Sequence, residues 1–459
     1  LLAVRTLQEK RPPGSTLAWL MAIVLAPYIG VPLYLVIGGR KFNRSIHMIE
    51  RLYVPGTGQK QEMLVPAAGR IVNQAGFPSP RPGNLVVFHS SGETAYAAMM
   101  QLFEAARVSI HVSTFILGDD DTGRAVVKAL AKKAREGVEV LLLLDSLGCL
   151  TTSRGFVQPI RDAGGRAKRF LPVLPLQRKW SANLRNHRKI VVVDHVAAVV
   201  GGMNLAMLFM GAEPDCYRYV DDSVFLYGPA VYDIEEVFRH DWEFAADEQL
   251  HLPEGCLFPR TPEPFLNAMI EGVTPFHAVD DCMIQVVPSG PDVPEDTFHD
   301  ALLTAIMEAE KRIWLMTPYF VPDASLLKPL ALKARSGCDI RIIVPLRSNH
   351  GIADLARGPA LRELSAAGAA IYVCPAPMIH GKVMLFDHKI AITGSPNLDM
   401  RSIYLNFEIA LFHYSPADID ILEAWLRQIQ LTCHMIRPRE VSRRRAWAEN
   451  LSHLISPLL

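Results

Sequence analysis

The chain has 459 residues, enough for two or three domains or for a membrane segment followed by a duplicated domain. Half of it is hydrophobic, and Lys plus Arg equals Asp plus Glu at 47 each, so it lacks the basic excess of a nucleic-acid binder. The seven cysteines are scattered with no C-x-x-C, which predicts unpaired thiols in a reducing compartment and no zinc site.

Leu17 to Ile37 is a run of 21 residues without an ionisable side chain, close to the about 20 needed to cross a bilayer. It predicts a membrane segment within residues 1–44. Pro27, Gly30 and Pro32 predict a bend or break, and leave open a straight span or a re-entrant hairpin. Arg40, Lys41, Arg44 and Arg51 follow the run and favour a cytoplasmic catalytic domain. Residues 45–84 read as a Pro- and Gly-rich neck.

A repeat follows, with halves at 85–250 and 281–436 and a Pro-rich linker at 251–280 between them. In the first half, strands are predicted over 108–115 and 138–144, with a helix over 123–136 closed by Gly137. The second half repeats this as strand 312–319, helix 325–335, Gly337 and strand 339–344. Strand, helix and strand with continuous apolar strands predict α/β halves with mixed, mostly parallel sheets. The end, 437–459, is predicted as a basic amphipathic tail. It could lie on an anionic membrane or dock on the protein's own surface.

Each half then carries the same chemistry. His187, Lys189 and Asp194 form H-x-K-x4-D, followed by Gly201, Gly202 and Asn204; His380, Lys382 and Asp387 repeat it, followed by Gly394, Ser395 and Asn397. Residues two apart on a strand share a face, so imidazole and ammonium enter one pocket. A lysine beside a histidine suits a phosphate: the ammonium neutralises an oxygen while the imidazole approaches phosphorus. Asn204, Ser395 and Asn397 supply neutral donors. With two copies facing a shared site, one histidine attacks and the other protonates the leaving alcohol. A nucleophilic imidazole needs an acceptor on its other nitrogen. Glu408 is the candidate for His380, and Asp221 or Asp222 for His187. The spacing calls for no metal and no cofactor. His89, His111, His195, His350, His388 and His413 lack this context and read as turn or core residues.

On these motifs the chain resembles the phospholipase D superfamily. The membrane run, TPYFVPD at 317–323 and the stretch GSPNLDMRSIYLNFE at 394–408 resemble the bacterial cardiolipin synthases within it. The resemblance implies two tandem phospholipase D-like halves facing a shared active site. It implies conversion of two phosphatidylglycerols to cardiolipin and glycerol, at the bacterial inner membrane, with membrane lipids as partners and no nucleic acid; a homo-oligomer is compatible with it. It also implies His187 as nucleophile, His380 as acid/base, and Asp194 and Asp387 as residues that position their motifs. Water or serine as acceptor would instead give a phospholipase D or a phosphatidylserine synthase. A nuclease fits poorly with the neutral charge, and a non-enzymatic scaffold with two intact motifs. One departure stands out: many relatives carry Trp-Arg-Asp-x-His where this chain has Tyr219-Val220-Asp221-Asp222-Ser223.

Overall fold

In the computed structural model, residues 13–34, 50–56, 65–153, 155–173, 181, 183–252, 267, 278–293 and 295–454 are described. The linker at 251–280 therefore lies almost wholly outside the described residues. The first half contributes β1 (Arg81–His89), β2 (Ser109–Thr114), β3 (Glu139–Asp145), β4 (Arg166–Phe170), β5 (Ile190–Val193), β6 (Ala197–Gly201) and β7 (Ser223–Tyr227). The second contributes β8 (Ala278–Ser289), β9 (Arg312–Met316), β10 (Phe320–Val321), β11 (Asp339–Pro345), β12 (Ala370–Cys374), β13 (Val383–Phe386), β14 (Ile390–Gly394), β15 (Leu398–Asp399), β16 (Glu408–His413) and β17 (His434–Ile436).

One continuous sheet holds all but β10 and β15, in the order β4-β3-β2-β5-β6-β7-β1-β8-β16-β14-β13-β9-β11-β12-β17. Read outward from the β1–β8 pair, both halves have the same topology, with β17 added at one edge. The halves thus share a sheet instead of carrying separate ones. The expectation of mostly parallel pairing is also corrected. Only the trios β2–β3–β4 and β9–β11–β12 are parallel in it, and the remaining neighbours are antiparallel. The histidine motifs feed hairpins (β5–β6, β13–β14), and a hairpin reverses the chain where a βαβ crossover would keep it parallel.

Alternation along the strands makes the layers. Leu143 and Ile343 face a core that draws on both halves, including Val192, Val224, Trp314 and Leu385. Their neighbours Leu142 and Leu144 face outward to Val126 and Leu130 of a first-half helix. Ile342 and Val344 likewise meet Leu326 and Leu330 in the second half. The result is one sheet with helices on both faces: Ala230–Ala246 and Pro416–Thr432 cover the shared core through Phe238, Trp242, Leu422 and Leu426, and successive strand side chains point to opposite faces. The helix Asp121–Arg135 shows how local sequence sets an element. Asp120 caps it by accepting from the Gly123 N–H at 3.0 Å, Lys132, Lys133 and Arg135 fill its last turn, and Gly137 takes φ +89°.

Several segments depart from expectation. The apolar run is not one straight helix: Pro13–Leu25 and Pro27–Leu33 are separate helices, and the chain folds back so that Trp19 meets Tyr34 edge-on at 5.3 Å. A Cβ at Gly30 would overlap the Ala22 carbonyl, so this close approach needs glycine. No described helix is long and apolar enough to cross a membrane, and residues 35–37 of the run are outside the described residues. The neck is packed instead of free. Its helix Ala67–Gln74 places Ala68 and Val72, with Phe77 after it, in the outer core of the second half, because Ala68 and Val72 share one face. Cys374 and Cys433 form a disulfide joining the end of β12 to the start of β17, against the expectation of seven unpaired thiols. The C-terminal helix Arg443–Leu454 docks on the protein itself. The buried Glu449 pairs with Arg362 at 2.5 Å and with Arg445 at 3.0 Å, while Trp447 and Leu451 remain exposed.

Arg188 ties the halves. Its guanidinium, fully buried, pairs with Asp241 at 2.6 Å and with Asp292 at 2.8 Å, and its Nε donates to the Glu408 carbonyl at 3.0 Å. Asp241 is in the first half, on the helix Ala230–Ala246, and Asp292 in the second, just past β8. Arg188→Met is expected to cost about 3–5 kcal/mol in urea unfolding, because two buried carboxylates lose their cation. Adding Asp241→Leu and Asp292→Leu should recover most of that loss; a triple variant no more stable than R188M would show that the cation acts otherwise.

Candidate active site

The two histidine segments are placed by backbone pairing across the halves. The His187 N–H donates to the Phe407 carbonyl at 2.8 Å, and the Phe407 N–H to the Arg185 carbonyl at 2.9 Å. The second copy repeats this with the His380 N–H on the Val220 carbonyl at 2.7 Å and the Val220 N–H on the Met378 carbonyl at 2.9 Å. The residue after each accepting carbonyl, Glu408 or Asp221, therefore arrives beside the histidine of the opposite half. His187 Nδ1 lies 2.8 Å from Glu408 Oε2, and His380 Nδ1 lies 2.6 Å from Asp221 Oδ2. This corrects the expected partners: both acids are used, but exchanged. The register explains it, since Glu408 and Asp221 occupy equivalent places ahead of β16 and β7 and each leads across the seam.

Burial governs the electrostatics. Desolvation, opposed by Glu408, lowers His187 from 6.5 to about 4; desolvation together with Lys382 does the same to His380, against Asp221. Burial alone would raise Glu408 and Asp221. It is outweighed by His187 and Lys189 for Glu408, and by Lys382 and His380 for Asp221, so both carboxyls are held below their ordinary values. Each histidine is thus a neutral imidazole whose Nδ1–H donates to an ionised carboxylate; the Nε2 pair of His187 is left free, and that of His380 lies 3.4 Å from Lys382 Nζ. Lys189 is lowered by desolvation to about 7, and Lys382 is lowered for the same reason. Lys189 Nζ donates to the His187 carbonyl at 2.9 Å, and Lys382 Nζ stands 2.8 Å from His380 Nδ1. The charge of each lysine reaches the histidine of the other half, so the four groups form one site. Phe115 packs edge-on against His187 at 4.9 Å, and Tyr219 stacks on His380 at 5.8 Å.

The remaining expected residues divide. Asn204 Oδ1 accepts from the Ile116 N–H at 3.1 Å, which leaves its amide protons for a ligand. Asn397 is paired with Ser402 at 3.2 Å and lines the cleft beside His187. Ser395 does not face a ligand: it is fully buried, and its hydroxyl accepts from the Ile409 N–H at 3.0 Å beside Glu408. Asp194 and Asp387 stand apart from the histidines, at φ +50° and +54° in the hairpin turns. Asp194 accepts from the N–H groups of Arg107, Val108 and Ser109 at 2.8, 2.7 and 2.9 Å. Asp387 accepts from those of Glu310, Lys311 and Arg312 at 3.0, 2.8 and 2.9 Å. Each pins its motif to the start of the neighbouring strand, so neither touches the reacting atoms.

Sequence reasoning missed other contributors. His350 lines the cleft of about 250 Å³ that opens beside His187, as do Tyr319 and Arg401. The signal for Arg401 was its place in the NLDMRS stretch. Gly202 matters by its size: a Cβ there would overlap the Asp221 carboxylate, which accounts for glycine opposite Ser395 in the other copy. Asp222, fully buried against Gly381, is pushed well above the usual carboxylate range by desolvation and by Asp221. Among the described residues, ligand atoms fit for a metal converge at His240, Asp241 and Asp292 and at His388, Asp420 and Glu423. Arg188 already occupies the carboxylates of the first set, the second is on the surface, and neither includes a motif histidine.

Paired imidazoles, each braced by a carboxylate of the opposite half and flanked by a lysine, define a phospholipase D-type site for phosphodiester chemistry. The family profile described as "Cardiolipin synthase, PLD-like domain" matches residues 99–242 and 302–430, and "Phospholipase_D-nuclease N-terminal" matches residues 1–39. The chain is 31% identical to cardiolipin synthase 1 of Bacillus anthracis, over 98% of this chain and 90% of that protein. It is 28% identical to a cardiolipin synthase of Listeria monocytogenes, over 100% and 96%. The fold is shared with the phosphatidylserine synthase of Haemophilus influenzae (TM-score 0.62, 15% identity, 86% of this chain and 100% of the other). The chain belongs to the bacterial cardiolipin synthases of the phospholipase D superfamily and is an enzyme of the phosphatidyltransferase kind.

The depressed imidazoles set a pH dependence. With folded values of about 4 against 6.5 for ordinary histidine, the unfolded chain binds more protons between those limits. Stability should therefore fall as pH drops from about 6.5 toward 4, and the His187→Gln/His380→Gln double variant should show a shallower fall over that window. Equal slopes for wild type and double variant in denaturant titrations would contradict the neutral imidazoles.

Proposed function

We propose that the chain transfers a phosphatidyl group from one phosphatidylglycerol to another, giving cardiolipin and glycerol through a phosphatidyl-histidine. The crossed pairing carries this reading: each imidazole has its Nδ1–H on an ionised carboxylate, which turns Nε2 toward the phosphate. His187 Nε2 forms a bond to phosphorus as the bond to the glycerol oxygen breaks, and His380 gives that oxygen a proton. The glycerol hydroxyl of the second lipid then gives its proton to His380, its oxygen attacks phosphorus, and the bond to His187 breaks. His380 must hold a proton at the first step. A bound phosphodiester supplies the reason, since its negative charge in a buried site raises the imidazole from about 4. Lys189 and Lys382 neutralise the phosphate oxygens, and Asn204 and Asn397 donate to them.

The substrate and the location have independent support. The apolar run at 17–37 and the family match over residues 1–39 favour action at the bacterial inner membrane, and the basic cluster after the run favours catalytic halves on the cytoplasmic side. In lipid vesicles, phosphatidylglycerol labelled in its headgroup glycerol should yield free labelled glycerol together with cardiolipin. Phosphatidic acid without cardiolipin would assign water as acceptor and overturn the proposal. His187→Ala and His380→Ala should each lower turnover by roughly 10²–10⁴-fold or more. His380→Ala should retain more phosphorus–nitrogen adduct after a denaturing quench at alkaline pH than His187→Ala; adduct in His187→Ala alone would reverse the two roles.

A further inference from the structure

Arg185, His187 and Lys189 alternate along one extended segment, so their side chains share a face. Arg185 and Arg401 both line the cleft of about 250 Å³ that contains His187. Their guanidinium groups donate to oxygens of neighbouring segments. Arg185 donates to the carbonyls of Ser181 at 2.7 Å and Leu171 at 3.4 Å. Arg401 donates to the Asn183 carbonyl at 2.7 Å and to Asn406 Oδ1 at 3.2 Å. Burial lowers Arg185 below its ordinary value, Asp145 opposes the lowering, and Arg401 adds to it. Two acids are near. Asp145 already accepts from the N–H groups of Leu147, Gly148 and Asn186 at 2.8–2.9 Å. Asp399 caps Ser402 at 2.8 Å and is pushed up by burial to about 6. Phe115, Leu147, Val321 and Ala353 give the cleft an apolar side, and Tyr319, His350 and Asn397 add polar groups.

The cleft is larger than one phosphate needs, and the motif lysines already serve the phosphate under attack. Two guanidinium groups lining one cleft beside His187 favour an anion there, and their planar forks suit phosphate oxygens. We infer that Arg185 and Arg401 bind the phosphodiester of the acceptor lipid, one glycerol away from the phosphorus under attack. The inference rests on the transfer reading above and adds a cause of acceptor choice. Water and neutral alcohols lack the second phosphate, so the site favours cardiolipin over hydrolysis.

The test separates acceptor binding from the histidine chemistry. Exchange of labelled free glycerol into phosphatidylglycerol reports the covalent half-reaction with a neutral acceptor, and cardiolipin formation reports the anionic one. In the full chain in vesicles, Arg401→Gln should lower cardiolipin formation at least tenfold more than glycerol exchange, and Arg401→Lys should recover part of the difference. Equal losses in both reactions, or none, would overturn the inference. A wild-type arm removes dependence on how the variants fold: glycerol phosphate should be used as acceptor at least tenfold better than glycerol at equal concentration. Equal use would also overturn it, as would loss of that preference on adding an equal concentration of inorganic phosphate, which would assign the cleft to free phosphate. Wild type showing neither exchange nor cardiolipin would instead sink the transfer reading itself.

Discussion

The structure depends on one crossing. Each motif histidine takes its carboxylate from the opposite half, His187 from Glu408 and His380 from Asp221. Backbone pairing at Phe407 and Val220 sets these contacts before any side chain is considered. Neither half alone can hold a histidine in the tautomer that attack requires. The buried Arg188 lies along the same seam and donates to the Glu408 carbonyl. A change that shifts the halves by an ångström would therefore disturb fold and chemistry together.

The repeat is a shared scaffold with unequal contents. Arg188 in one copy corresponds to Gly381 in the other, and the room at Gly381 is taken up by the buried Asp222, which stands where the second half has Ile409. Gly202 admits the Asp221 carboxylate, whereas Ser395 stands beside Glu408. Two histidines with the same local motif thus sit in different fields: His187 beside Phe115 and the open cleft, His380 beneath Tyr219 with Lys382 close to its ring. Unequal surroundings are what a reaction with one nucleophile and one acid/base requires.

Much of this was legible in the chain. The apolar runs at 108–115, 138–144 and 339–344 became β2, β3 and β11 with ends shifted by a residue or two, because periodicity and terminal glycines act locally. The spacing of the two motifs brought His187, Lys189, His380 and Lys382 to attention. What escaped was long-range. Nothing in the spacing says that Glu408 crosses to His187, that the helix Ala67–Gln74 packs on the second half, or that Cys374 meets Cys433, since those contacts join segments 59 to more than 200 residues apart. Asp194 and Asp387 have an acid's reactivity on paper. Their backbone contacts, set by left-handed turn geometry, show them to be fasteners.

The position of Glu408 late in the chain has a consequence for biosynthesis. The apolar segment at 17–37 leaves the ribosome before either catalytic half, at a rate of about 5–20 residues per second. His187 then waits on the order of half a minute for the acid that orients it, and the helix Ala67–Gln74 waits as long for the core it covers. During that interval the nascent chain has no competent imidazole. Phospholipid turnover is withheld until Glu408 has been made, by the order of residues alone.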